Sequence, residues 1–232
     1  MSAESSNAIS RTGNSFSDQA ERTLRDQILH GAFPPGGRLN EVEIATDLGV
    51  SRGPVREAMQ RLARDGLVVL QPHRGAFVRR LTVDEVSNLF EVRITLERKV
   101  AALAAERLTP VQQEQLEQLR AGMAAQDEDI DPDDQFQGTH DIHALLAIAS
   151  GNEALAAHVA TVNRELLLLR TQSGQTQTRA HDAIDEHAEL IAAVLSRDPE
   201  AAATAMDEHL SKALNYALQA MAAADNQRVD AL

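Results

Sequence analysis

The chain has 232 residues, a formal net charge of −13, 43% hydrophobic residues and only 3% aromatic ones. That length allows one large domain or two small ones, and a core filled by Ala, Leu, Val and Ile favours helix. With no cysteine there are no disulfides or thiolate metal sites. No apolar run reaches the roughly 18 residues of a membrane span, and the polar, Ser-rich start does not read as a secretory signal, so the expected compartment is the cytoplasm.

In chain order, residues 1–14 read as disordered, and Ser15 to about Leu29 as an amphipathic helix with Ala20, Leu24 and Ile28 four apart. HGAFPPGGRL is a loop, because paired Pro and paired Gly break a helix. Helices follow over Glu41–Leu48 and Ser51–Asp65, then two short strands, LVVLQ and AFVRR, around the turn PHRG. A long helix opens at Leu81 or Thr82 and runs to about Leu108, and another spans Pro110 to about Ala125. After the acidic loop DEDIDPDD, further helices are expected at about 133–149, 152–172, 178–196 and 198–222, followed by a frayed tail over 225–232. That loop lacks the Gly and closing Glu of an EF-hand and reads as a solvated segment.

Charge divides the chain in the same place as the elements do. Residues 1–80 hold 11 Arg and 9 acidic residues, about +2, and the remainder holds 11 basic and 26 acidic ones, about −15. The reading is a mainly α protein. A winged helix-turn-helix over 15–80 is joined to an all-α antiparallel bundle over 81–224.

The first unit carries specific chemistry. From Glu41, the residues Ala45, Gly49 and Val55 fall at relative positions 5, 9 and 15 of a helix-turn-helix. A small residue lets the helices approach, a glycine ends the first helix in the left-handed conformation, and an apolar residue buries the second helix. Ser51 is a suitable N-cap, and Pro54 falls in the first turn, where a missing N–H costs little. Arg52 and Arg56 then stand one turn apart at the start of a recognition helix, where Arg reads guanine edges or clamps phosphates in the major groove. In PHRGAF, Gly75 permits a close backbone approach, and His73 and Arg74 can reach phosphate or the minor groove. The bland alternative is a helical hairpin with solvated arginines.

In the second unit His143, His187 and His209 fall on the apolar stripes of separate helices. An inward histidine is commonly a satisfied core residue, but converging imidazoles are also a natural site for Zn²⁺ or Ni²⁺. Arg93 lies on the stripe Val86, Leu89, Arg93, Leu96, Val100, Leu103. A buried guanidinium needs an anionic partner, either Glu97 one turn on or a ligand carboxylate. Asp185 and Glu186, next to His187, are expected to point away from its stripe. His30, His158 and His181 lack such context and read as surface or flanking residues.

FPPGGRLNEVEIATDLGVSRGPVREAMQRLARDGLVVLQPHRGAFV resembles the winged helix of GntR-family bacterial transcription regulators. The resemblance implies operator contacts through Ser51, Arg52, Arg56 and Gly75. It also implies that Gly53 stands where the family often has Thr, and Val42 where some members have a DNA-contacting Arg. VRITLERKVAALAAERL, HDIHALLAIASGN and EHAELIAAVLSRDPEAAATAMDEHL resemble the FCD-type effector domain of the FadR subfamily. Many such domains hold a divalent metal through an Asp and three His. His143, His187 and His209 match those histidines, whereas Thr139 occupies the usual Asp position and is a poor ligand. A three-His site completed by water or effector is one reading, with Zn or Ni as the metal and Arg93, Thr139 and the histidines facing the effector. A weak or metal-free site is the other.

The resemblance implies a homodimeric repressor on palindromic double-stranded operator DNA. A small carboxylate effector would alter the spacing of its winged helices. A metal-free regulator responding to acyl-CoA or another ligand is the alternative. A metal-dependent hydrolase is a distant one: a three-His site with an open position suits it, but no general base, phosphate-cradling Gly loop or nucleophile elbow accompanies the histidines.

Overall fold

The computed structural model describes the backbone of residues 15–124, 142–169 and 177–229, and the side chains of all of these except residues 124, 177–181 and 225–229. The expected disordered start, the acidic loop, Thr139 and the last three residues therefore lie outside the described residues. The chain divides into two compact units, one ending at Val78 and one beginning at Arg79.

In the first unit, Ser15 opens α1 (Phe16–Leu29) with a capping box. Its hydroxyl accepts from the Asp18 N–H at 3.2 Å, and the Asp18 carboxylate accepts from the Ser15 N–H at 2.9 Å. Ala20, Leu24 and Ile28 form the buried stripe. The second helix, α2 (Glu41–Asp47), ends in a Schellman turn: the Gly49 N–H donates to the Thr46 carbonyl and the Val50 N–H to the Ala45 carbonyl, with Gly49 at φ +64°. Helix α3 (Arg52–Arg64) buries Val55, Ala58, Met59 and Leu62 against α1 and α2.

Ser51 occupies the N-cap position of α3 but makes no side-chain capping bond. The reason lies three residues on: Pro54 has no N–H for the hydroxyl to accept from. The capping role expected of Ser51 is thus corrected. Arg61, near the other end of α3, is bound to Asp18 and Glu21 of α1 and to Glu57, while Arg25 of α1 pairs with Asp65. The arginines of this helix therefore divide into a structural end and an exposed end.

The sheet has three antiparallel strands in the order β1-β3-β2, with β1 at Arg38–Leu39, β2 at Val68–Gln71 and β3 at Gly75–Val78. Only β2 and β3 were expected. The loop before α2 supplies β1, because the Gly36 N–H donates to the Val78 carbonyl and the Val78 N–H donates to the Gly37 carbonyl. Strand β3 stops at Val78, two residues before the expected end.

The second unit is helical: α4 (Val83–Arg107), α5 (Pro110–Ala124), α6 (described over 142–149), α7 (Glu153–Leu166), α8 (Gln177–Leu195) and α9 (Pro199–Val229). Helix α4 packs along α7, α8 and α9. The shared core includes Val100, Ala104, Ile142, Leu190 and Met206. Two boundaries differ from expectation. Helix α9 runs to Val229 rather than about 222, since no Gly or Pro after Pro199 stops it, and α7 ends at Leu166 in a turn. The buried face of α4 is also rotated from the expected stripe. Phe90 and Glu97 are buried, whereas Leu89, Arg93 and Leu96 sit on its shoulder.

Two glycines separate the geometry of the reading head. Gly53 has no neighbour within 4 Å of an added Cβ and an ordinary φ, so Gly53→Ala should stabilise the fold by about 0.5–1 kcal/mol. Gly49→Ala, at φ +64°, should instead destabilise by about 1 kcal/mol or more. Urea unfolding of the two variants checks the opposite signs.

Candidate functional site

Helices α6, α8 and α9 each bring one histidine to the middle of the second unit. His143, His187 and His209 are 2%, 2% and 4% exposed. Their ring centroids lie 5.6 Å (143–187), 5.3 Å (143–209) and 4.4 Å (187–209) apart. One potential ligand nitrogen from each falls within 4.8 Å of the others. The three inward stripes predicted from sequence therefore converge on one point.

Two buried carboxylates stand behind the rings. Glu97 of α4, fully buried, takes the Nδ1 of His143, and Glu186 of α8 takes the Nδ1 of His209 at 2.8 Å. The expectation that Glu186 points away is corrected. It precedes His187 by one residue, and both lie on the part of α8 that meets α9, so one faces the ring of His209 from behind while the other faces it within the cluster.

These contacts orient the rings. The Arg93 Nη2 lies 3.5 Å from the His143 Nε2, and a guanidinium only donates. His143 therefore turns its Nε2 toward Arg93 and its Nδ1 toward Glu97. Burial pushes the His209 imidazole down to about 4, against the opposing bond to Glu186 and with the help of His143 and Arg93. A ring neutral at physiological pH keeps a lone pair to give. A carboxylate behind a histidine is also the arrangement that orients metal-binding imidazoles. Three clustered imidazoles, two of them backed in this way, fit a divalent metal.

Of the two partners weighed for Arg93, the structure shows Glu97. Its Nε donates to Glu97 Oε1 at 2.8 Å, and its outer nitrogen reaches the histidine cluster. Phe90 lies under the guanidinium, 5.6 Å from the ring centroid. Burial alone would raise the Glu97 carboxyl, but His143 and Arg93 outweigh it and hold the group below the ordinary carboxylate range. Asn163 of α7 completes the network by donating to Glu97 Oε1 at 3.3 Å. Thr139 lies outside the described residues.

The contacts that sequence reasoning missed are those of Glu97 with His143, of Glu186 with His209, and of Asn163. The sequence held a trace of the first alone, a glutamate one turn after an arginine on an apolar helix.

In the first unit Ser51, Arg52, Gly53 and Arg56 are all exposed at the start of α3. Arg56 donates to Glu41 Oε2 at 2.7 Å and Arg52 to the same oxygen at 3.2 Å. The bond from Arg56, with a smaller one from Arg52, holds the Glu41 carboxyl below its ordinary range against slight burial. Glu41 of α2, not foreseen, thus draws both guanidinium groups together. In the turn between β2 and β3, His73 takes φ +61° and Gly75 φ +104°, and the Arg74 guanidinium lies 5.9 Å from the Phe77 ring centroid. Arg38 of β1 runs beside Gly75, its Nε 3.7 Å from where a Cβ would stand. Val42 is exposed on α2, and its side chain has no hydrogen-bonding group.

A winged helix-turn-helix with exposed arginines at the head of α3, followed by a separate helical unit, defines a DNA-binding transcription regulator and not an enzyme. The chain belongs to the GntR family of bacterial regulatory proteins, which its residues 16–78 match, and carries an FCD domain over residues 88–212. It is 30% identical over 194 residues to the HTH-type transcriptional repressor RspR of Escherichia coli (strain K12), a match covering 84% of this chain and 85% of that one. A crystal structure of a GntR transcriptional regulator from Rhodococcus sp. RHA1 superposes with a TM-score of 0.70 at 26% identity, over 88% of this chain and 97% of that one. McbR/YncC of E. coli shares the fold, with a TM-score of 0.70 at 22% identity over 88% and 98%.

The depressed His209 has a consequence for the metal-free protein. Its folded pKa of about 4 lies below the unfolded value of about 6.5, so the unfolded state binds more protons between them. Stability contributed by His209 is complete above about pH 6.5 and falls as the pH drops toward 4, with a slope of up to about 1.4 kcal/mol per pH unit. Denaturant titrations in chelator should show this slope, and His209→Asn should flatten it.

Proposed function

We propose that the protein is an operator-binding repressor controlled by a small carboxylate bound at the histidine cluster. The observation that supports it most is the joint presence, in the helical unit, of Arg93 and three buried imidazoles, two of them backed by carboxylates. Such a set suits an anionic ligand better than a purely apolar one.

On the DNA side, Arg52 and Arg56 read or clamp the major groove from the start of α3, with the uncapped Ser51 hydroxyl beside them and Gly53 offering its backbone. His73, Arg74 and Gly75 place the wing against the phosphate backbone or the minor groove. Arg38 adds a cation at the base of the wing. Two copies in a homodimer would meet the halves of a palindromic operator.

On the effector side, His143, His187 and His209 would hold a divalent ion, Zn²⁺ or Ni²⁺, whose charge draws the carboxylate in and leaves Arg93 to bind its other oxygen. Glu97 and Glu186 keep the rings turned for that purpose. Thr139, which the resemblance puts at the usual Asp position, would be a poor ligand and leave the ion to the three histidines.

Mobility-shift titrations test the DNA assignment. Arg56→Ala and Arg52→Ala should each weaken operator binding by about tenfold or more, and each should reduce the salt dependence by close to one ion. Unchanged affinity in both variants would remove the assignment. Thermal unfolding tests the sensor assignment. EDTA should lower the midpoint, and Zn²⁺ or Ni²⁺ should restore it in the wild type but not in His187→Asn. A midpoint indifferent to EDTA would leave the histidines as core residues.

A further inference from the structure

Glu41 is the first residue of α2, and the backbone beneath it is fixed. The Asn40 side chain caps that helix by accepting from the Val42 N–H at 3.0 Å, and its amide donates to Glu43 at 2.7 Å. The Glu41 carboxylate takes the Arg56 side chain at two points. Nη2 donates to Oε2 at 2.7 Å, and Nε lies 3.2 Å from each oxygen. Two points of contact fix the plane of a guanidinium as well as its place. They also occupy one edge of the fork, Nε with Nη2. The edge left over is Nη1 with the second N–H of Nη2, and Nη1 makes no hydrogen bond to the described residues. Arg52 is held differently, by one contact of its Nη2 with Oε2 at 3.2 Å, which leaves its plane free to turn. The Glu41 side chain is 26% exposed, against 59% for Arg52 and 57% for Arg56. The anion thus lies behind the two cations, and a duplex meeting the start of α3 reaches guanidinium groups before it reaches the carboxylate.

We propose that Glu41 is a positioning residue of the DNA interface, which holds Arg56 with its open edge forward so that this arginine reads a guanine. This rests on the DNA assignment above. A guanine offers two acceptors, N7 and O6, on its major-groove edge, and two parallel N–H groups of a fixed fork match them. A backbone phosphate presents oxygens on several sides, so a turning guanidinium can follow it. Arg56, held at two points, has the preorganisation that base reading requires, and Arg52, held at one, is left to the phosphates. Without the carboxylate the two guanidinium groups, four residues apart on one face of α3, repel each other and spread over many rotamers. Their charge still attracts any duplex, and more strongly without the neighbouring anion, but the fork no longer arrives aligned. Glu41 thus lowers affinity for DNA in general and raises discrimination between sequences.

Selection of duplexes from a randomised pool by the full-length protein supplies the probe, and mobility shifts then compare the selected duplex with a scrambled one of the same length. In the wild type, exchanging one particular guanine pair of the selected duplex for another pair should weaken binding about tenfold or more. In Glu41→Ala that preference should fall to within about threefold, while binding to the scrambled duplex is unchanged or stronger. Arg56→Lys, whose ammonium has no fork, should lose the same preference at the same base pair, and the double variant should lose no more than either alone. Glu41→Gln gives the same comparisons if the alanine variant does not fold. An equal rise of both affinities in Glu41→Ala, with the guanine preference intact, overturns the inference, because Glu41 would then only offset charge. So does an equal fall with the preference intact, the mark of a merely structural residue. Losses that add in the double variant overturn it as well, since Glu41 would then not act through Arg56. In all three outcomes the DNA assignment stands. If the wild type selects no sequence, or if Arg52→Ala and Arg56→Ala bind DNA as the wild type does, that assignment fails and this inference with it.

Discussion

The helical unit is organised around one buried charge. Glu97 is fully buried on α4, and its two oxygens take Arg93 and Asn163 on one side and His143 on the other. Moving a carboxylate out of water costs several kcal/mol, and only charge-assisted hydrogen bonds with good geometry offset it. Each partner therefore has a position imposed by Glu97. His143 must turn its Nδ1 outward and its Nε2 inward, Arg93 must bend along its own helix toward the cluster, and the Asn163 amide must present its nitrogen. One buried anion thus sets the orientation of an imidazole, a guanidinium and an amide, drawn from α6, α4 and α7.

The first unit solves a different electrostatic problem in a chain of net charge −13. Its arginines are separated by task along a single helix. Arg61 ties α3 to α1 through Asp18 and Glu21, so it is a structural cation. Arg52 and Arg56 stay exposed and share Glu41, an arrangement that limits their rotamers without burying them. Exposed pairs of this kind contribute little to stability, so their value lies in holding a geometry and in a charge that incoming phosphates can compete for.

Helix α7 touches both ends of the helical unit's task. Asn163 meets the Glu97 that also holds His143, and two residues later Glu165 binds Arg79 at 2.6 Å. Arg79 is the first residue after β3, and it also pairs with Glu85 at the start of α4. Arg79, the first residue of the second unit, is thereby held to α7 and to the start of α4.

The sequence by itself determined the two-part architecture, the helix-turn-helix and the three histidine stripes. Each of these rests on local spacing: Ala45, Gly49 and Val55 around one turn, alternating strands about PHRG, and apolar residues three or four apart beside each histidine. Only the tertiary structure decided what the spacing could not reach. The rotation of α4 by one position, which buries Glu97 and moves Arg93 to the shoulder, depends on the helices packed against it. The contact of Glu186 with His209 depends on where α8 meets α9. The uncapped Ser51 was readable in principle from Pro54 three residues later, and β1 was hidden because a two-residue strand has no pattern of its own. Local periodicity places a side chain on a face. Which face meets which neighbour, and so which buried charge finds its partner, is settled only when distant segments pack.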